Sequence, residues 1–181
     1  MKKKKVLFII WSFSYGGGAE KILANIVNNL DYEKYDIDVL EYLHADKMEP
    51  VNGNIKILPP IVDITRQDVF SKIYNKLMNS ALIKLFPGLI RKMHLRKIYD
   101  VEISFNYLIP TFLLSRNSQK RIAWIHGSIY DLEENKRLRN KQRKALSSVN
   151  KIVAISNATE KSIASVFPEY KDKIITIYNG Y

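Results

Sequence analysis

The sequence predicts an α/β fold, a Rossmann-like, doubly wound and mostly parallel sheet with helices on both faces. Two observations carry that expectation. Apolar runs of strand length alternate with amphipathic helical stretches along the chain, as parallel strands joined by crossover helices require. The first such run, Val6 to Ile10, passes through Trp11 to Tyr15 into Gly16-Gly17-Gly18, and a helix follows at once. At 181 residues, with 46% hydrophobic residues and only 7 Gly and 6 Pro, the chain has the size and composition of one packed domain.

In chain order, Lys3 to Ile10 reads as the first strand. Ala19 to Leu30 follows as a helix whose Ile22, Leu23, Ile26, Val27 and Leu30 share one face. Asp36 to Leu43 alternates in part and reads as strand two, and Asn54 to Leu58 as a short strand stopped by Pro59-Pro60. From Arg66 to Ile98 the pattern is helical, broken at Pro87-Gly88. Val101 to Phe105 is a strand, Ile109 to Leu114 a short helix, and Arg121 to Ile125 a strand ending at His126-Gly127. Asp131 to Ser148 reads as one helix opened by Asp131-Leu132-Glu133-Glu134, a capping-box-like start. Lys151 to Ile155 is a buried strand, Ser156 or Asn157 caps a helix to about Val166, and Lys173 to Tyr178 is the last strand.

Composition narrows the function. With no cysteine, disulfides and thiolate metal sites are excluded. No window approaches the ~20 apolar residues that cross a bilayer, and the stretch after Lys2–Lys5 is too short for a signal peptide and lacks a cleavage site. The net charge is +11, and removing those four lysines leaves +7, so the excess belongs to the domain and implies a polyanionic neighbour. Glycines between a strand and a helix let backbone N–H groups approach a ligand, and the helix N-terminus favours an anion. Neither a Walker A loop nor a strict Gly-x-Gly-x-x-Gly is present, and a tight turn with no ligand is the plain alternative.

Gly16-Gly17-Gly18-Ala19-Glu20, Trp124-Ile125-His126-Gly127 and Val153-Ala154-Ile155-Ser156-Asn157 follow one another at strand ends. In this the whole chain resembles the amino-terminal half of a GT-B glycosyltransferase of the retaining family four, many of whose members build bacterial capsule, exopolysaccharide or lipopolysaccharide chains. The resemblance implies that residues 1–178 form the acceptor-side domain and 179–181 begin an interdomain linker. The donor-binding domain with its Glu-x7-Glu motif is absent from the chain, which is expected to be inactive alone. The implied donor is a nucleotide-diphosphate sugar, with neither metal nor cofactor.

By the same resemblance Gly16, Gly17 and Gly18 approach the donor diphosphate. His126 is catalytic, facing the transferred sugar and supporting charge separation as the nucleotide leaves. Tyr15, Asn106, Tyr107 and Thr111 are expected to line the acceptor pocket. Glu20 is either a helix-dipole acid or an ordering residue of the loop. Glu41 resembles the ribose-binding acid of a NAD protein, a reading discounted without the fingerprint. Glu102, inside an apolar strand, is expected to be structural, and His44 and His94 to be surface residues with no metal-ligand spacing.

The stretch from Arg66 to Ile98 holds eight Lys/Arg against one acid, Asp68. Phe70, Ile73, Tyr74, Leu77, Met78, Ala81, Leu82 and Leu85 share one half of a helical wheel. The element is either core-packed with a solvated basic face or a membrane-surface element presenting Lys72, Lys76, Lys84, Arg91, Lys92, Arg96 and Lys97 to anionic lipid. A second cluster, Lys136, Arg137, Arg139, Lys141, Arg143 and Lys144, lies on one helix without the interleaved aromatics of a nucleic-acid surface, and no nucleic-acid partner is expected. The expected function is the acceptor-binding half of a glycosyltransferase, peripheral on the cytoplasmic face of the membrane. The alternative is a non-catalytic domain that docks on membrane or on a separate donor-binding subunit; a NAD-type oxidoreductase domain is a third.

Overall fold

A computed structural model of the chain describes residues 2–14, 16–45, 47–78 and 85–180. Strands β1 (Lys4–Ile10), β2 (Tyr35–Glu41), β4 (Lys56–Ile57), β6 (Val101–Ser104), β7 (Lys120–Ile125), β8 (Lys151–Ala154) and β9 (Ile174–Thr176) form one sheet. Its order is β4-β2-β1-β6-β7-β8-β9, and a two-stranded sheet pairs β3 (Leu43–His44) with β5 (Val62–Asp63). Every pairing is parallel. The expected fold class is the one observed.

The chain moves outward from β1 to β2 and β4, then returns to place β6 on the other side of β1. That reversal makes a topological switch point at the carboxyl ends of β1 and β6, where open α/β sheets bind ligands. Strand β1 is apolar throughout because both of its faces are covered. Leu7 and Ile9 join one core with Leu40, Tyr42, Ile90 and Leu113. Val6, Phe8 and Ile10 point the other way, into a core with Leu23, Val27, Ile37, Val39 and Phe105. Helix α1 (Gly18–Asn28) covers this second face through Leu23, Ala24 and Val27. A third core, around Ile125, Leu146, Ile152 and Ile163, seats α6 (Lys136–Ser147) and α7 (Asn157–Val166).

Several expected boundaries are corrected. Strand β2 stops at Glu41, and Leu43–His44 pairs with Val62–Asp63 instead. The 66–98 stretch contains α2 (Val69–Leu77), capped by the Asp68 carboxylate accepting from Ser71 N at 2.8 Å, and α3 (Pro87–His94). Pro87 opens α3 rather than merely ending the helix before it, since a first-turn residue needs no N–H partner. After the short α4 (Ile109–Phe112), the expected Asp131–Ser148 helix is two: α5 (Asp131–Glu134) and α6. Asn135, in a non-helical conformation, breaks them and caps α6 by accepting from Leu138 N, a role the capping-box reading had given to Asp131. Ser156 caps α7, accepting from Thr159 N at 3.2 Å. A 3-10 turn over Pro168–Lys173, absent from the sequence reading, leads into β9.

His44 and His94 are not surface residues. Both are half-buried: His44 Nδ1 lies 2.7 Å from Glu41 Oε1, and His94 Nε2 lies 2.8 Å from the Tyr74 hydroxyl. Glu102 is structural, as expected. It is fully buried and ion-paired to Arg91 Nη2 at 2.7 Å, and accepts from Ser115 N and the Ser118 hydroxyl.

Candidate functional site

The segment after β1 is held from below. Glu41, at the end of β2 and 1% exposed, accepts from Phe13 N at 2.9 Å and from the Ser14 hydroxyl at 3.3 Å. Its other oxygen meets His44, so a buried carboxylate is fully partnered and the turn is pinned. Glu41 is therefore a scaffold for the loop and not a ribose ligand. Gly16 has φ +67°, a conformation that excludes most side chains. A Cβ on Gly17 would lie 2.5 Å from Glu20 Oε2, so Glu20 folds back over the loop it follows. Helix α1 starts at Gly18 with no side-chain cap, which leaves its first N–H groups without a capping partner.

His126 follows the last residue of β7. Residues 124 and 126 share the α1 side of the sheet, because side chains alternate along a strand. The imidazole packs against Phe105 at 4.3 Å between ring centroids and stacks with Trp124 at 6.0 Å and 16°. His126 Nε2 and Trp124 Nε1 are both buried, and neither meets a hydrogen-bond partner among the described residues. Burial lowers the His126 pKa to about 4, so the ring is neutral at pH 7. An indole N–H, or an imidazole nitrogen in its N–H tautomer, without a partner is suited to donate to a ligand's hydroxyl or phosphate oxygen. Gly127, at φ +139°, turns the chain away immediately after the histidine.

The other expected site residues separate. Asn106 holds the ends of two strands together, its Oδ1 accepting from Trp11 N at 2.8 Å. Tyr107 donates to Asp131 at 3.1 Å, and burial, with that carboxylate, pushes its hydroxyl up to about 12. Thr111 lines a different cavity, between α3, α4 and the end of α6. It is 2% exposed, and its hydroxyl is spent on Asn106 O, Ser104 and Gln142. Tyr15 lies outside the described residues. Between Tyr107 and Thr111, Leu108 has φ 64°, held by the buried Gln142, whose Oε1 accepts from Leu108 N at 2.9 Å. The sequence carries no signal for that strained position, and the aromatic setting of His126 was visible only as Phe105 and Trp124 at strand ends.

The basic stretch divides in the same way. Arg91 and Lys97 are corrected as surface bases: Arg91 serves Glu102 and Leu113 O, and Lys97 reaches Asp36 and Asp38 on β2. Lys72, Lys76, Lys92 and Arg96 are exposed, and Lys84 lies outside the described residues. The apolar wheel of α2 turns Tyr74 and Met78 inward but leaves Phe70 86% and Ile73 54% exposed. On α3, Leu89 and Met93 are also exposed. Ala81 and Leu82 fall outside the described residues. Among the described residues no three His, Asp or Glu side chains converge on a point, and no helix is long and apolar enough to cross a membrane.

Solved structures of similar fold include HepE of Anabaena in complex with UDP, at 13% identity and TM-score 0.58, covering 98% of this chain and 44% of that one. The apo lipopolysaccharide outer core galactosyltransferase WaaB matches at 18% identity and TM-score 0.60, covering 98% and 46%. The chain thus spans less than half the length of either structure. No curated protein sequence matches it significantly. The family model described as Glycosyltransferase Family 4 matches residues 16–181, nearly the whole chain, and the chain belongs to that family.

Proposed function

We infer that this chain is the acceptor-side half of a retaining glycosyltransferase that moves a sugar from a nucleotide-diphosphate donor to a glycan or lipid-linked acceptor in bacterial surface polysaccharide synthesis. The observation that carries this reading is the pair of buried, unpartnered nitrogens on His126 and Trp124, beside the switch point where the glycine-opened α1 begins. HepE has been solved with UDP and with UDP-glucose, which supports a nucleotide-sugar donor. In the reaction the bond from the sugar's anomeric carbon to the diphosphate breaks, its electron pair leaving with the diphosphate. The acceptor hydroxyl oxygen bonds to that carbon, and its proton passes to the released phosphate. His126, neutral at pH 7, donates a hydrogen bond to the charge that develops; Gly16 to Gly18 leave room for the diphosphate near the α1 N-terminus. Residues 1–178 form this domain, with donor binding carried by a further domain beyond residue 181. The test is turnover of a nucleotide-diphosphate sugar by the full-length enzyme carrying His126→Ala. A fall of roughly 10²–10³-fold with an unchanged melting temperature is expected, and unchanged turnover overturns the role.

The exposed apolar residues of α2 and α3 favour a further element of this reading, peripheral attachment to the cytoplasmic membrane face. Phe70, Ile73, Leu89 and Met93 enter the headgroup boundary while Lys72, Lys76, Lys92 and Arg96 face anionic lipid. Co-sedimentation with anionic vesicles should weaken as salt shortens the Debye length. Absence of binding at low salt removes the membrane, and membrane binding with no transferase activity in the full-length protein leaves the docking domain alone.

A further inference from the structure

A cavity of about 560 Å³ lies between α3, α4, the 114–118 loop and the end of α6. It is remote from His126 along the strands. Arg96 to Ile98 precede β6, Asn117 and Ser118 precede β7, and Ser148 precedes β8, so these walls stand at the amino ends of three strands whose carboxyl ends carry the candidate site. Seven lysines and arginines line it against one acid, Glu102. Glu102 is already neutralised by Arg91, and Lys97 is taken by Asp36 and Asp38. Lys92, Arg96, Arg116 and Lys144 form no ion pair among the described residues. The rest of the lining is of two kinds. Ser115 and Asn117 offer short polar groups, the Ser118 and Ser148 hydroxyls already donating to Glu102 and Ala145 O, while Leu95, Phe112, Leu114 and Ala145 make an apolar floor.

We propose that this cavity binds a phosphate group carried on a larger body. Cations without ion-pair partners around a concave, partly apolar site suit a tetrahedral anion with an organic substituent. A bare phosphate fills only part of the volume, so the substituent occupies the apolar floor. Phosphates of two sources share this chemistry: a phospholipid headgroup and a soluble phosphate ester. The site does not depend on the glycosyl-transfer reading, since neither His126 nor the glycine loop lines it. It is also separable from attachment through α2, because Arg116 and Lys144 lie on other elements.

The experiment is an amide chemical-shift titration of the chain with inorganic phosphate and with glycerol 3-phosphate, followed by co-sedimentation with vesicles containing phosphatidylglycerol or phosphatidylcholine alone. Saturable shifts in Ser115–Ser118 and Lys144–Ser148 are expected, with the ester binding more tightly than inorganic phosphate. Arg116→Ala and Lys144→Ala should each weaken binding roughly tenfold, the size of one charge-assisted hydrogen bond. Both side chains are exposed, so the variants fold, and His126→Ala should leave this binding unchanged. A further gain on phosphatidylglycerol vesicles that the same variants abolish identifies the lipid source; ester binding with no vesicle preference identifies the soluble one. Linear, non-saturating shifts with both phosphates and no variant effect on vesicles, or affinity unchanged in Arg116→Ala and Lys144→Ala, overturns the site.

Discussion

Acidification from pH 7 to pH 5 should cost this fold about 2 kcal/mol through His126 alone. The imidazole lies against Phe105 and Trp124 with Nε2 out of water, and burial holds its pKa at about 4, against about 6.5 in an unfolded chain. Between those values the unfolded chain binds the proton and the folded one does not. The contribution is therefore complete above about 6.5 and is lost as the pH falls toward 4. Below 4 both states are protonated, and the loss levels off at on the order of 3 kcal/mol. Burial shifts His94 in the same direction, so the wild-type slope alone does not isolate His126. His126→Phe does, because a phenyl ring keeps the packing against Phe105 and has no proton to gain. Urea unfolding of the two proteins at pH 7 and pH 5 should show the variant losing about 2 kcal/mol less. The His126 Hε1 resonance should titrate near the same low midpoint. A midpoint near 6.5, or equal losses in the two proteins, refutes the burial that lowers the imidazole pKa.

Arg91→Met should destabilise the chain by about 3–5 kcal/mol in chemical denaturation, since Glu102 would remain charged and fully buried with only Ser115 N and Ser118 for partners. Adding Glu102→Gln to that variant should recover part of the loss, and no recovery would mean that packing, not charge, sets it. Gln142→Ala removes the acceptor of Leu108 N, at a cost of about 1–3 kcal/mol, and hydrogen exchange at the Leu108 amide should accelerate more than at its neighbours. Gly127→Ala meets nothing within 4 Å of the new Cβ, so its loss of roughly 1–3 kcal/mol should come from φ +139° alone. A thermal shift indistinguishable from wild type would show that the turn relaxes without strain.

The sheet was legible because each strand is a short apolar run between turn signals, and because β1 and β8 are covered on both faces and need no alternation. The positions of the glycine loop and His126 at strand ends were legible for a related reason, since each closes an apolar run of strand length. What escaped was every interaction between residues far apart in sequence. Nothing around Lys97 announces Asp36 and Asp38, some sixty positions earlier, as its partners. Nothing around Glu41 shows that it pins Phe13 and Ser14. Composition counts Arg91 and Lys97 among the bases, and only the fold spends them on buried acids. The α2 wheel left two readings open, core-packed or membrane-facing. Its apolar half was correctly grouped, but a wheel does not say which part of that half meets the core, and Phe70 and Ile73 remain in solvent.

The distribution of the excess positive charge separates two partners that the net value of +11 merges. At the carboxyl ends of β1, β6 and β7 the candidate site is built from glycines, aromatic rings, a neutral imidazole and the pinned Glu41, with no lysine or arginine among these groups. Under the proposed function, a donor diphosphate there would meet dipoles and hydrogen-bond donors rather than full positive charges. At the amino ends of β6, β7 and β8 the reverse holds, for Lys92, Arg96, Arg116 and Lys144 surround a cavity with no free carboxylate. Their joint field falls off within about a Debye length, roughly 8 Å at physiological salt, so it acts on what enters that cavity or lies against α3. The excess charge is therefore concentrated at the amino edge, where the proposed phosphate site lies, rather than at the strand ends that carry His126.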